Sequence, residues 1–63
     1  MKVYEVEVMT GELPVSHSNV SAHTPKAAAV KATGRGVRDR RSEIHWVRVT
    51  DQADRVVYKF AFG

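Results

Sequence analysis

The sequence pattern of this chain predicts only one short helix, because its helix-start and helix-stop signals lie close together. Thr24 can cap free backbone N–H groups, and Pro25 suits the first helical position because proline has no N–H to satisfy there. Residues 26–33 are rich in alanine, the best helix former. Gly34 can adopt the left-handed backbone conformation that ends a helix, so the predicted helix has about two to three turns.

Four other segments are predicted to form strands. Residues 3–9 alternate with the period of a half-buried strand, and residues 55–62 place their apolar residues on one face. Residues 15–22 form a weaker, partly exposed strand, and residues 43–50 carry apolar residues on both faces; turns are predicted at 10–14 and 51–54. Residues 35–42 are predicted to form a polar loop. The order is therefore ββαββ, an antiparallel sheet of two hairpins with one short helix, in the α+β class. We expect residues 1–63 to form a single small domain.

The first strand and the helix each have a predicted inward side. The inward residues are predicted to be Tyr4, Val6 and Val8 on the strand, and Ala27, Val30 and Ala28 on the helix. Glu5 and Glu7 lie on the opposite face of the strand. Lys59 or Arg55 can pair with them there, across the sheet.

A 63-residue chain without cysteine must be held together by packing or by a partner. So small a domain has little room for a deep pocket, which favours a binding module over an enzyme. The amino-terminal residues lack the apolar run of a signal peptide, and no segment is long enough to span a bilayer. We therefore expect a cytoplasmic protein with no membrane contact.

No catalytic, metal or cofactor site is predicted. His17 lies between two serines, but neighbouring residues on a strand point to opposite faces. The histidines at 17, 23 and 45 form no close-spaced pair, whereas a structural zinc site needs about four N or S ligands. The Gly34-Arg-Gly36 step follows a helix, whereas phosphate-binding glycine loops precede one.

The charge distribution gives the strongest functional signal. Ten Lys and Arg against seven Asp and Glu residues leave a net charge of +3. Six of these cations and one acid, Asp39, fall between residues 26 and 41, which gives this segment a formal charge of +5. Such a patch is the electrostatic footprint expected of a phosphate-binding protein, although a solvated helix face and loop is the alternative. The predicted contacts are Lys26, Lys31, Arg35, Arg38, Arg40 and Arg41.

The strand that follows adds two candidates. Arg48 is predicted to contact phosphate, because the planar guanidinium group binds phosphate oxygens through two N–H groups. Trp46 is either a core residue or a stacking contact beside Arg48.

The segment Thr24-Pro-Lys-Ala-Ala-Ala-Val-Lys-Ala-Thr-Gly-Arg-Gly36 resembles the helix of the archaeal non-histone chromosomal proteins, which bind DNA as monomers and bend it. In that family an Arg-Gly step, a basic loop, an Arg-bearing strand, a turn and a Val-aromatic-Lys-Phe-like strand follow. The counterparts here are Arg35-Gly36, residues 38–41, 44–49 and 51–54, and Val57-Tyr58-Lys59-Phe60. The family's arm with proline and tryptophan has no counterpart after Phe62, so we expect weaker bending.

This resemblance implies a non-catalytic, nucleoid-associated protein that binds double-stranded DNA through backbone phosphates with little sequence preference. A weaker resemblance, in the order strand, helix, glycine-basic loop and strand, is to the archaeal ribosomal protein LX family, and implies contacts with RNA. A third interpretation is a structural or assembly subunit, for example in a virion, whose basic loop and strand edges dock on protein partners.

Overall fold

The chain folds into one antiparallel sheet with a helix on one face. The computed structural model describes all 63 residues. In chain order the elements are β1 Lys2–Thr10, β2 Leu13–Ala22, α1 Pro25–Thr33, β3 Val37–Asp39, β4 His45–Asp51 and β5 Val56–Phe62. The strands lie in the order β2-β1-β4-β5-β3, and every neighbouring pair is antiparallel. The predicted α+β class, with two hairpins and one short helix, is confirmed.

A short strand lies within the segment that the sequence predicts as a loop. Val37 pairs with Phe62 and Asp39 pairs with Phe60, so β3 adds a fifth strand at the edge of the sheet. The side chain of Val37 is buried, which fixes this edge on the core. A strand of three residues with one apolar position is too short for a period of two to be recognised in the sequence.

Both ends of α1 have the predicted capping contacts. Thr24 Oγ1 accepts a hydrogen bond from Ala27 N at 3.1 Å, and Pro25 occupies the first helical position. Gly34 has a φ of 69°, in the left-handed region, and its N–H donates to Val30 O at 2.8 Å. These contacts satisfy backbone groups that helix ends otherwise leave open. The resulting helix has nine residues, and the protein contains no helix long and apolar enough to span a membrane.

Two alanines bring α1 onto the sheet. Ala28 and Ala29 are fully buried, whereas Ala27 is exposed and Val30 is 38% exposed. The inward position predicted for Ala28 is therefore confirmed, and those predicted for Ala27 and Val30 are wrong. The caps determine where the helix begins and ends but not its rotation about its axis. Consecutive alanines look alike in the sequence, so they do not indicate which of them faces the sheet.

Alternation along the strands separates an inner face, which packs on α1, from an open face on the other side of the sheet. Tyr4 and Val6 point inward as predicted, and Val8, which pairs with the core residue Val47, lies on the same face. The core comprises Tyr4, Val6, Ala22, Ala28, Ala29, Val37, Val47, Val49 and Phe60. The open face carries Glu5, Glu7, Trp46, Arg48 and Lys59.

A buried carboxylate organises the turn between β4 and β5. Asp51 accepts hydrogen bonds from Lys2 Nζ at 2.7 Å and from the backbone N–H groups of Ala53 and Asp54 at 3.0 and 3.2 Å. The Lys2 ammonium group, followed by these two N–H groups, lowers the pKa of Asp51. The contact ties the start of β1 to the turn, which lies at residues 52–55, one position later than predicted.

Replacing Phe60 by alanine should lower the free energy of unfolding by about 3–5 kcal/mol, because the change leaves a cavity in the core. Phe60 is 7% exposed, whereas Val57, on the open side of the same strand, is 49% exposed. Val57→Ala is therefore the matched control, and its cost should stay within about 0.5 kcal/mol. Urea unfolding followed by circular dichroism measures both variants. Equal costs would contradict the assignment of the core.

Candidate nucleic-acid interface

Four arginines line the sheet edge that β3 forms. They are Arg35, Arg38, Arg40 and Arg41, called here the β3-edge arginines. Gly34 ends α1 and turns the chain toward this edge, and Arg40 N donates to Lys59 O at 3.2 Å, which continues the pairing just past β3. The outer side of β3 has no neighbouring strand. Three of the four side chains are exposed and that of Arg40 is half-buried, so the edge presents cations to solvent.

The β3-edge arginines extend to both faces of the sheet. Arg38 follows a buried core residue on β3 and points to the open face. Arg40 reaches the same face, where its Cζ atom lies 4.2 Å from the ring centre of Trp46. The Cζ atom of Arg35 lies 4.0 Å from the ring centre of Phe62, which packs on the core at the inner face. A polyanion lying along this edge can therefore meet guanidinium groups on either side of it.

Glu43 holds three of these arginines in place. Its carboxylate accepts a hydrogen bond from Arg41 N at 2.8 Å and forms an ion pair with Arg38 Nη2 at 2.9 Å. Arg40 Nε donates to the backbone oxygen of Glu43 at 3.0 Å. The N–H groups of Arg41 and of Glu43 itself, with the Arg38 guanidinium, lower the pKa of Glu43 to about 2. Only Arg38 is neutralised, and the side chains of Arg40 and Arg41 have no carboxylate partner.

Trp46 is a buried residue that supports two cations. It is 5% exposed, and its Nε1–H donates to Gly11 O at 2.7 Å. The Cζ atom of Arg40 lies 4.2 Å, and Nζ of Lys59 5.8 Å, from the centre of its ring, within cation–π range. Trp46 is therefore buried as in the core alternative, although it lies on the open face and not in the cluster beneath α1. A nucleic-acid base can reach the ring only after Arg40 or Lys59 has moved aside.

Arg48 is held by the neighbouring strand. It lies opposite Glu7 in the β1–β4 register, and its Nη2 and Nε atoms both lie 2.9 Å from Glu7 Oε1. The side chain of Arg48 is 35% exposed and that of Glu7 is 13% exposed. A phosphate contact by Arg48 would have to compete with this half-buried ion pair. Arg48 is therefore less available to phosphate than the exposed Arg35 and Arg41, which have no carboxylate partner.

The two glutamates of β1 have partners other than those predicted. Glu7 contacts the neighbouring strand β4, and Glu5 Oε2 lies 2.9 Å from His17 Nε2 on β2. The predicted pairing with Lys59 or Arg55 is wrong because β1 lies between β2 and β4, so β5 is not its neighbour.

Lys59 thereby becomes an additional cation of the site. It lies on the open face, opposite Arg48 in the β4–β5 register and near Trp46. No ion pair engages it. The sequence predicts the face on which Lys59 lies, because Lys59 is next to the buried Phe60 on the same strand. The sequence does not specify the order of the strands, and it is this order that leaves Lys59 without a glutamate partner and free to bind another anion.

The two helix lysines do not join the β3-edge arginines. Lys31 Nζ donates to Ser21 O at 3.1 Å, so Lys31 lies against β2. Since β2 and β3 are the opposite edges of the sheet, the predicted patch does not form one continuous ridge. Lys26 is exposed in the first turn of α1 and forms no ion pair. The structure therefore separates the predicted cations into an arginine edge, a lysine-bearing helix and a paired Arg48.

An apolar groove lies on the inner face where α1 does not cover the sheet. Its volume is about 750 Å³, and its nine lining residues include four apolar ones, Val8, Val15, Ile44 and Phe62; the other five, among them Arg35, are polar or charged. Val15 and Ile44 are 63% and 64% exposed. The structure contains no group of three or more acidic or histidine side chains that could hold a metal ion. The lining of the groove is suited to contact with another apolar surface.

Comparisons of the chain with protein-family models, with curated proteins and with solved structures gave no match. The resemblances to chromosomal and ribosomal proteins therefore stay predictions.

Trp46→Phe should lower the free energy of unfolding by about 1–3 kcal/mol, because it removes the half-buried hydrogen bond to Gly11 O and leaves a gap where the larger indole ring packs. Its affinity for duplex DNA should stay within about twofold of the wild-type value, because the ring is covered by cations. If Trp46 instead stacks on a base, the loss would be of the size of base stacking, about 1–3 kcal/mol of binding free energy. Chemical unfolding and fluorescence anisotropy with labelled DNA separate the two roles.

Glu43→Gln should destabilise the fold most at neutral pH and least in acid. The pKa of Glu43 falls from 4.5 to about 2 on folding, so the ionised carboxylate stabilises the folded protein above about pH 4.5. That stabilisation is lost as the pH falls toward 2. The difference in unfolding free energy between wild type and variant should therefore narrow from pH 5 to pH 2. Urea titrations at several pH values measure it.

Glu12→Gln is the control for this experiment, because Glu12 is exposed in the β1–β2 turn and forms no ion pair. Its unfolding free energy should follow that of the wild type at every pH. A constant gap between wild type and Glu43→Gln across the same range would contradict the role given to Glu43.

Proposed function

We propose that this protein is a small, non-catalytic nucleic-acid-binding protein that contacts the backbone phosphates of double-stranded DNA through the β3-edge arginines, with little sequence preference. The observation that carries the proposal is the set of four arginines within seven residues at one sheet edge, of which only Arg38 is paired with a carboxylate. This activity would place the protein on the nucleoid or inside a virion.

Two arginines of this edge have free hydrogen-bond donors. The Nη groups of Arg40 and the whole guanidinium group of Arg41 donate no hydrogen bond within the chain. Each of these guanidinium groups can bind two oxygens of one phosphate at once. When an arginine neutralises a DNA phosphate in this way, the counterion condensed on that phosphate is released, which favours binding. Arg40 is also held in position by Trp46 and by the backbone of Glu43, so little side-chain freedom is lost on binding.

Two features keep the expected affinity moderate. The net charge is only +3, and Glu5 and Glu7 would repel phosphate from the adjoining part of the open face. DNA should therefore follow the β3 edge rather than cover the sheet. Lys26 and Lys31, toward the other side, would add long-range attraction instead of direct contacts.

Binding of labelled duplex DNA at several salt concentrations tests the proposal. If the three β3-edge arginines without a carboxylate partner, Arg35, Arg40 and Arg41, each neutralise one phosphate, the logarithm of the association constant should fall against the logarithm of salt concentration with a slope of roughly −2.7. Duplexes of unrelated sequence should bind alike. Absence of binding at low salt would contradict the proposal.

A pair of charge-matched variants locates the interface. Arg35→Ala/Arg41→Ala removes two exposed cations from the β3 edge, whereas Lys26→Ala/Arg55→Ala removes two exposed cations from α1 and from the β4–β5 turn. At 50–100 mM salt the first should weaken binding by more than about tenfold, because two phosphate contacts are lost. The second should weaken it far less. Equal losses would show that net charge, and not this edge, determines affinity.

A structural or assembly subunit is a second candidate function, favoured by the exposed apolar groove. Leu13 is 71% exposed, and like Val15 and Ile44 it contributes apolar surface that phosphate binding does not need. In this alternative the β3-edge arginines would contact RNA or an acidic protein. Structured RNA that outcompetes duplex DNA would favour a ribosomal role, because A-form helices present different grooves.

A further inference from the structure

The two edges of the sheet differ in length and in charge. The β3 edge has three residues and is flanked by arginines, which block the approach of another strand. The β2 edge has ten residues, contains no Lys, Arg, Asp or Glu, and has no strand on its outer side. Native proteins usually protect such an edge with charge, proline or a bulge. The protection of β2 is confined to one end.

The unprotected part of β2 is the segment 16–22. Pro14 and an irregularity in the register opposite Val8 and Met9 interrupt regular pairing near Val15. From Ser16 to Ala22 the pairing with β1 is regular, and the middle residue of this segment is Asn19.

The hydrogen bonds of β1 show which groups of this segment point outward. Gly11 N donates to Ile44 O and Gln52 N donates to Val3 O, so the odd-numbered residues of β1 bond to β4. Since hydrogen bonds alternate along an antiparallel strand, the even-numbered residues of β1 bond to β2. Their partners are Ser16, Ser18, Val20 and Ala22.

The backbone groups of His17, Asn19 and Ser21 therefore face away from the sheet. The contact of Lys31 agrees with this assignment, because its Nζ reaches the outward carbonyl of Ser21 at 3.1 Å. Three residues thus offer three N–H and three C=O groups, of which Lys31 covers one.

We propose that the β2 edge binds a second copy of this chain, antiparallel, with Asn19 opposite Asn19 of the other copy. In this register His17 lies opposite Ser21, and the outward groups form six hydrogen bonds between the copies. On the inner side Ser18 meets Val20 and Ser16 meets Ala22 of the other copy. The two sheets then continue as one sheet of ten strands.

A second copy fits this edge better than an unrelated strand because the segment complements itself. The segment 16–22 has three residues on each side of Asn19, and in this register no fully charged side chain meets a like charge across the axis. The arginines lie at the far edge, four strand spacings away, or about 19 Å. This exceeds the screening length of about 8–10 Å, so their repulsion does not oppose pairing.

Lys31 limits the strength of the pairing. Its ammonium group must leave the Ser21 carbonyl before the second copy can bind there, but water can replace that exposed contact. The pairing does not require DNA and is independent of the proposed function. If both hold, the dimer carries one β3 edge at each end and can contact DNA twice.

A single-cysteine crosslink tests the register. Hydrogen-bonded residues opposite each other in antiparallel strands have Cα atoms about 5.5 Å apart, within the disulfide range of about 4.4–6.8 Å. The chain has no cysteine, so Asn19→Cys can link only to its own copy. Under mild oxidation it should form a covalent dimer at least about tenfold faster than the control Ser42→Cys, whose position is also exposed but lies outside β2. Equal rates would overturn the proposal.

Sedimentation velocity on the protein without DNA tests the dimer itself. Wild type and Asn19→Ala should dimerise with similar dissociation constants, whereas Asn19→Lys should raise that constant by at least about tenfold, because it places like charges opposite each other. Circular dichroism confirms that each variant is folded. A wild-type protein that stays monomeric up to about 1 mM, or an Asn19→Lys variant that dimerises like the wild type, would overturn the proposal. Neither result would affect the proposed DNA binding.

Discussion

The contact of Ala28 and Ala29 with the inner face is the interaction on which this fold depends. Their methyl groups let the helix backbone approach the sheet closely, and both are fully buried. Through this approach α1 contacts every one of the five strands, including the short β3. In a chain of 63 residues without disulfides, nine helical residues thus provide one whole layer of the core.

The short length of α1 also determines which parts of the sheet stay uncovered. Because the caps at Thr24 and Gly34 limit α1 to nine residues, part of the inner face remains as an apolar groove and both sheet edges stay open. The edges then differ by sequence. Arginines make the β3 edge suitable for polyanions and unsuitable for another strand, whereas the uncharged β2 edge is suitable for a strand and unsuitable for phosphate. The two proposals follow from this single difference between the edges.

Local signals in the sequence were sufficient for the elements and their class, but not for their arrangement in space. Capping residues and alternation predicted α1 and four strands, whereas β3 was too short to have a pattern. The charge count groups Lys31 with Arg35, yet their side chains reach toward opposite edges of the sheet, Lys31 to Ser21 on β2 and Arg35 to Phe62 on β5. Glu43 lies outside the basic segment and was not recognised as its organiser, since its role depends on how the loop folds back.

The unfolding free energies of Ala29→Val and Ala27→Val test most directly whether close helix–sheet contact supports the fold. Both changes place the same β-branched residue in α1, at a helix-propensity cost of up to roughly 0.6 kcal/mol each, so most of their difference reports packing. Ala29 is buried and Ala27 is exposed. We predict that Ala29→Val lowers the free energy of unfolding by about 1–3 kcal/mol more than Ala27→Val does, because the added methyl groups push the helix off the sheet. Equal costs would contradict it.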